Sequence, residues 1–269
     1  MEAFIHDMAT RKAPATVRRY VSSIATMHEA AALHNPVTDP ITGKYRLPIQ
    51  LALRTMHRAK GRRQKQVKGL TFDIRSRLLE KLDPATVKGL RDRALITVAY
   101  DTGLRRSELV ALDLADLHAA PDGLATLLLR KSKTDQEGEG APVLIATDTL
   151  EYLQAWIESS AITEGALFRS IKKSGTIQAR LTDQSVRLIL KDRARHSGLP
   201  ASIVEKLSGH SPRVGLAQDM TASGLDLPAI MQAGRWKSPQ MVSRYTEHLQ
   251  ARKGGAAKLF ALQHRLIRQ

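Results

Sequence analysis

The chain has 269 residues, 42% of them hydrophobic, and sets 42 Lys+Arg against 26 Asp+Glu for a formal net charge of +16. That length holds one large core or two modest ones, and so large a basic surplus predicts a polyanionic partner, because Lys and Arg that neutralise phosphates release condensed counterions; a non-binding basic surface or an anionic membrane face are the alternatives. The lack of cysteine excludes disulfides, thiolate zinc sites and a cysteine nucleophile and suits a reducing cytoplasm, no apolar run reaches the roughly 18 residues of a membrane span, and the start, MEAFIHDMATRKAP, shows no secretory signal.

A brief amphipathic pattern over residues 3–12 is interrupted at Pro14. Across 15–33, Val17, Tyr20, Val21, Ile24, Met27 and Ala31 recur at helical spacing, leaving Arg18, Arg19 and Ser22 off the apolar stripe to face a groove. Residues 35–45 (NPVTDPITGKY) read as a loop and 47–59 as a helix. From Arg54 to Lys68 the chain carries seven Lys/Arg, Arg62 and Arg63 among them, and no acid. That run is a solvated linker or, on so basic a chain, a segment crossing a nucleic-acid backbone.

Gly69-Leu70-Thr71 opens a second domain, with Thr71 capping a helix that runs to Leu82. Asp83-Pro84 breaks it. A strongly apolar helix over 87–102 ends at Gly103, and 105–112 begins another. Residues 124–129 and 143–145 read as strands joined by a polar stretch with two glycines. A helix over 147–159 turns Leu150, Leu153 and Trp156 inward, 169–180 reads as basic loop, and 182–196 buries Val186, Ile189 and Leu190. A tail helix over 256–266 carries Leu259, Phe260, Leu262 and Leu266. The predicted fold class is mainly α with one small antiparallel sheet, in two parts.

The chemistry concentrates in 209–245, GHSPRVGLAQDMTASGLDLPAIMQAGRWKSPQMVSRY. His210 and Arg213 are three apart and share a helix face; Trp236 is followed nine residues later by Tyr245. Imidazole trades protons near neutral pH, guanidinium forks phosphate oxygens, indole donates one hydrogen bond and a phenol serves as a nucleophile. The set suits attack on a phosphodiester better than metal or acyl chemistry. Pro212 is tolerable only in a first turn, so that helix starts at about Ser211. Attack needs a nucleophile, charge neutralisation and an acid for the leaving group, which Tyr245, the arginines and Lys133 supply without an ATP motif or a carboxylate cluster for Mg²⁺.

The stretch AYDTGLRRSELVALDLADL resembles the first catalytic box of the tyrosine site-specific recombinases, the phage integrase family, and GHSPRVGLAQDM…AGRW…SRY resembles the second. The resemblance covers about 70–260 and, more weakly, the helices at 14–60; it rests on the order of the elements and the intact Trp-to-Tyr interval. It implies a tyrosine recombinase catalytic domain at 70–249, after a helical core-binding part at 1–60 and a basic linker at 61–69. A tail helix at 250–269 would follow, docked into a neighbouring subunit or packed on its own domain. The front end is shorter than the family's first domain, so an N-terminal part is expected to be missing, the alternative being a lineage that clamps DNA with less protein.

By the same resemblance, Tyr245 is the nucleophile, giving a 3′-phosphotyrosyl enzyme and a free 5′-hydroxyl. Arg105 and Arg213 hold the non-bridging oxygens in place of metal ions, Lys133 in RKSKT protonates the leaving oxygen, and His210 assists proton transfer at the tyrosine. Trp236 donates its indole N–H to the phosphate or packs behind it, and Glu108 steadies the site. Arg106 rivals Arg105 and Lys131 rivals Lys133, while Trp236 and His210 keep plain core or capping alternatives. Gln184 and Arg187 fall in the region similar to the family's major-groove helix, with geometry to read base edges or simply to face solvent; Arg18 and Arg19 are comparable for the N-terminal part. The implied partner is a double-stranded DNA site, bound as a homo-tetramer that clamps the duplex, with no cofactor, metal, membrane or small-molecule substrate. The implied setting is a bacterial, plasmid or phage nucleoid. The rival functions are an architectural DNA-binding protein without cleavage and a type IB topoisomerase-like enzyme.

Overall fold

The computed structural model describes residues 1–62, 66–120, 124–131 and 140–263. The chain divides into two compact units, Met1–Lys65 and Gln66–Gln269.

In the first unit α1 (Glu2–Arg11), α2 (Pro14–Ala30) and α3 (Leu47–Lys60) enclose Ile5, Val17, Val21, Val37, Ile49, Leu53 and Met56. Val17 and Val21 are one turn apart on α2, so the stripe that marks the helix is also the face it buries. Pro14 and Pro48 occupy the first turns of α2 and α3, where their missing N–H goes unneeded. The 35–45 loop is tied down by Asn35, whose Oδ1 accepts from the N–H groups of Val37 and Thr38 at 2.9 and 3.1 Å.

The second unit runs α4 (Phe72–Glu80), α5 (Val87–Thr102), α6 (Arg106–Ala111), β1 (Leu117–Ala119), β2 (Ala125–Leu129), β3 (Ala141–Ile145) and α7 (Thr147–Ser160). Then come β4 (Arg169–Ile171), β5 (Ile177–Arg180), α8 (Asp183–His196), α9 (Ala201–Lys206), α10 (Ser211–Ala222), α11 (Leu227–Gly234), α12 (Pro239–Lys253) and α13 (Gly255–Leu262). The fold class is mainly α with small antiparallel sheets. Helix α5 is central: Ala94, Leu95, Ile96, Thr97, Val98 and Ala99 are all buried, and α7 and α10 pack against it. Its buried Asp92 accepts from Arg91 Nε at 2.8 Å and from Arg193 Nε of α8 at 2.6 Å. Two guanidinium groups thus satisfy a carboxylate that would be costly to leave alone in the interior.

Three sequence expectations change. The sheet has three strands in the order β1-β2-β3, all antiparallel, and a separate β4-β5 hairpin occupies 169–180, which had read as loop. Thr71 stands at the N-cap of α4, but its side chain makes no capping hydrogen bond. Instead the Phe72 N–H donates to Asp219 Oδ2 at 2.7 Å, so an acid from α10 serves the helix start. Helix 105–112 is shorter than expected, Arg105 and Leu112 being its caps.

Candidate active site

Four elements of the second unit meet around one pocket of charge. Helix α5 ends at Gly103, and Leu104, buried in the core, carries the chain to Arg105 at the N-cap of α6. Glu108, one turn on, closes back: its Oε2 accepts from the Arg105 N–H at 2.8 Å and its Oε1 from Arg105 Nη1 at 2.5 Å. A carboxylate in a first helical turn satisfies exposed N–H groups there and meets the positive end of the helix; here it also fixes the guanidinium. Arg106 points elsewhere, pairing with Asp183 of α8 at 3.0 Å.

Helix α10 starts at Ser211 with Pro212 in its first turn, as the proline demands. His210 is therefore the N-cap, its N–H held by Ser208 Oγ at 3.1 Å, and Arg213 lies inside the first turn. Arg213 is 2% exposed. Its Nη1 donates to the Gly103 carbonyl at 2.8 Å, and its guanidinium carbon lies 4.5 Å from the centre of the Trp236 ring, a cation–π stack in a desolvated setting.

Trp236 follows α11, which Arg235 terminates in the left-handed conformation, φ 54°. The indole folds over Gly234 so closely that a Cβ there would lie 1.8 Å from it. Tyr245 sits one turn beyond Val242 on α12, and both side chains enter the small core formed by Val214, Ala217, Ile230 and Trp236. Its phenol oxygen is 2.8 Å from His210 Nε2, and its ring meets the Trp236 ring edge-on at 6.2 Å. The α12 backbone is held too: Gln218 Nε2 donates to the Tyr245 carbonyl at 3.0 Å and Gln66 Nε2 to that of Arg244 at 2.6 Å.

Electrostatics follow from burial. Burial, then the charges of Arg213 and Arg105, lower the His210 pKa below its ordinary 6.5, so the imidazole is neutral at neutral pH. Burial raises the Tyr245 phenol above its usual 10, against the opposing pull of Arg213, Arg244 and Arg105. Burial first, then Arg105 and Arg235, brings the Arg213 guanidinium down to about 10, still fully charged. The buried Trp236 Nε1 has no hydrogen-bond partner, an unmet donor of the kind a ligand oxygen satisfies.

Arg105, Glu108, His210, Arg213, Trp236 and Tyr245 are thus brought together. Lys133 and Arg63 lie outside the described residues. Gln184 and Arg187 are exposed on α8, and Arg18, Arg19 and Arg62 are exposed in the first unit. Tyr100 donates to Asp219 and Tyr152 lies under the Arg93 guanidinium, so both are engaged in packing. The residue that sequence reasoning passed over is Arg235, whose guanidinium is buried beside Glu108. Among the described residues no cluster of three His, Cys, Asp or Glu could hold a metal ion, and no helix is long and apolar enough to cross a membrane.

Residues 68–252 match the phage integrase family. The chain belongs to that family. It is a tyrosine recombinase, an enzyme of DNA strand cleavage and rejoining. It is 31% identical over 254 residues to an integrase/recombinase XerD homolog of Selenomonas ruminantium, spanning 91% of this chain and 71% of that one. To the Cre recombinase of Escherichia phage P1 it is 24% identical over 261 residues, spanning 91% and 74%. The recombinase fold is shared with the XerH site-specific recombinase solved on its palindromic difH substrate after cleavage, at a TM-score of 0.69 and 20% identity over 97% of this chain and 71% of that one. The Tn1549 transposon integrase, solved with a circular intermediate DNA, gives 0.62 at 15% identity over 91% and 79%.

Proposed function

We propose that this recombinase cuts a duplex DNA site by attack of the Tyr245 oxygen on the scissile phosphorus, linking the 3′ phosphate to the tyrosine and releasing a 5′-hydroxyl. The observation that carries the reading is the 2.8 Å contact between the Tyr245 hydroxyl and His210 Nε2, with two buried or part-buried guanidinium groups beside it. As the new P–O bond forms, neutral His210 takes the phenolic proton. Arg105 and Arg213 meet the charge on the non-bridging oxygens, and preorganised cations in a water-poor site are worth most where charge grows. Trp236 Nε1 donates to one of those oxygens. Lys133 protonates the 5′-oxygen as the P–O bond breaks, a role that rests on residue chemistry and family resemblance. The phosphotyrosine conserves the bond, so attack by a 5′-hydroxyl reverses the steps and rejoins the strand without an added energy source.

The wider assignments are supported by the net charge, by the exposure of Arg18, Arg19, Arg62, Gln184 and Arg187, and by the family resemblance. Arg18, Arg19, Arg62 and Arg63 contact the DNA backbone, and Gln184 and Arg187 read base edges from the outer face of α8. The part at 1–60 binds DNA, 61–69 links it to the catalytic domain at 70–249, and strand exchange takes place in a homo-tetramer. The tail at 250–269 docks into a neighbouring subunit, which the exposure of Leu259 and Leu262 supports. The protein acts in the cytoplasm, on nucleoid, plasmid or phage DNA.

The test is a suicide substrate that traps the covalent intermediate. Wild-type protein is expected to form an adduct through Tyr245 on the 3′ side. Tyr245→Phe should form none while binding the same DNA to within about twofold, since one hydroxyl adds little to a phosphate-dominated interface. An adduct of equal yield in the variant would remove the nucleophile assignment.

A further inference from the structure

Arg235 ends α11 with φ 54°, a conformation in which Gly costs the chain least and a long side chain is unusual. Backbone strain of this kind persists where the surroundings hold it and clusters at functional sites. The Arg235 side chain is 18% exposed, and its nearest acid is Glu108, Nη2 to Oε2 at 4.0 Å. Glu108 is already engaged by Arg105 through both oxygens. Nη1 reaches the Thr102 carbonyl at 3.4 Å, one residue before the Gly103 carbonyl that holds Arg213. Arg213 and Arg235 are therefore moored side by side at the negative end of the α5 dipole.

The Arg235 Nη2 is buried and has no hydrogen-bond partner. Of the five such side-chain atoms among the described residues, two are on the consecutive residues Arg235 and Trp236. A buried donor without an acceptor is costly, and both residues border the reacting groups, Arg235 beside Glu108 and Trp236 beside Arg213 and Tyr245, where an acceptor from outside the chain would satisfy them. The charge balance agrees. Arg105, Arg213 and Arg235 supply three positive charges and Glu108 one negative, a surplus of two. A phosphodiester carries one negative charge, and attack places a second on the phosphoryl oxygens.

We infer that Arg235 is a third phosphate-directed cation of this active site, acting on the charge that accumulates as Tyr245 attacks more than on the diester at rest. The inference rests on the cleavage reading above and adds a residue to it. An interaction that strengthens in the transition state alters the rate of the step and leaves ground-state binding nearly alone.

The experiment compares wild type, Arg235→Gly and Arg235→Lys in single-turnover cleavage of a nicked suicide duplex. One substrate carries the natural phosphate at the scissile position, the other a neutral methylphosphonate. Arg235→Gly is the informative variant because glycine suits the backbone there, so its melting temperature should equal or exceed that of wild type. We expect its DNA affinity to stay within about twofold and its cleavage of the phosphate substrate to slow by about tenfold or more, the scale of one lost charge-stabilising donor. Arg235→Lys should fall between the two. On the methylphosphonate, which lacks one of the charges, Arg235→Gly and wild type should cleave within about threefold of each other.

Cleavage of the phosphate substrate by Arg235→Gly at a wild-type rate would overturn the inference. So would an equal loss on both substrates, or a lowered melting temperature, either of which makes the residue a prop for Glu108. A wild-type protein that forms no 3′ adduct on the phosphate substrate would overturn the cleavage reading itself.

Discussion

A neutral imidazole lies 2.8 Å from a neutral phenol, and whatever shifts either pKa bears on the proton transfer proposed between them. The His210 pKa is lowered chiefly by burial, then by Arg213 and Arg105, so protonation on the acid side would remove the acceptor proposed for the tyrosine proton. Single-turnover cleavage should be flat near neutrality and fall on acidification below the ordinary histidine value of 6.5, while His210→Gln should be slow at every pH and lose that acid limb. Stability moves with it: the unfolded imidazole takes up its proton at higher pH than the folded one, so folding should weaken as pH drops from 6.5 towards the lower folded value. A pH–rate profile and melting curves at matched pH check both. The meeting of His210, Arg213, Trp236 and Tyr245 was legible because their types, order and spacing are themselves a pattern. Arg235 was not, because capping rules point to Gly234 as the left-handed residue. Gly234 instead serves the close approach of the Trp236 ring, and the left-handed turn falls one residue later, on an arginine.

At the scale of elements, the active site depends on a backbone crossing. The segment entering the second unit passes over α10 at Gly215, where a Cβ would lie 1.8 Å from the Leu70 carbonyl oxygen, and the Leu70 N–H donates to the Ser211 carbonyl at 2.8 Å. No side chain fits between two backbones at that distance. Gly215→Ala should destabilise the protein by about 1–3 kcal/mol or more, the range of overpacking in a tight core, and should reduce adduct formation by displacing α10 together with His210 and Arg213, for which catalytic roles are proposed; thermal melting with adduct yield tests this. Helices such as α5 were legible because a long apolar run bounded by Thr86 and Gly103 admits one reading. The three-residue β1 is too short to show a period. The β4-β5 hairpin was disguised by its arginines, which turn out to be structural: Arg169 donates to the carbonyls of Glu164 and Ala166, and Arg180 to those of Val110 and Leu112 as well as to Asp113. A cationic residue in a strand reads as loop until its acceptors, which lie far off in sequence, are known.

For the whole molecule the governing quantity is the surplus of sixteen positive charges. Binding to duplex DNA should weaken linearly on a log–log plot against salt, by about a thousandfold between roughly 50 and 200 mM if some six phosphates are neutralised; fluorescence anisotropy across that range measures the slope, and a flat plot would contradict the charge argument. The charge total was plain from composition, whereas the division at Lys65/Gln66 was only bracketed by the basic run, because composition marks a stretch and contacts mark a point. That dividing point bears on the proposed nucleophile. Gln66, the first residue of the second unit, grips the carbonyl of Arg244, next to Tyr245. A single side-chain amide thus separates the backbone at residue 66 from the helix that carries the proposed nucleophile, and a shift of that backbone is expected to alter where the Tyr245 oxygen points.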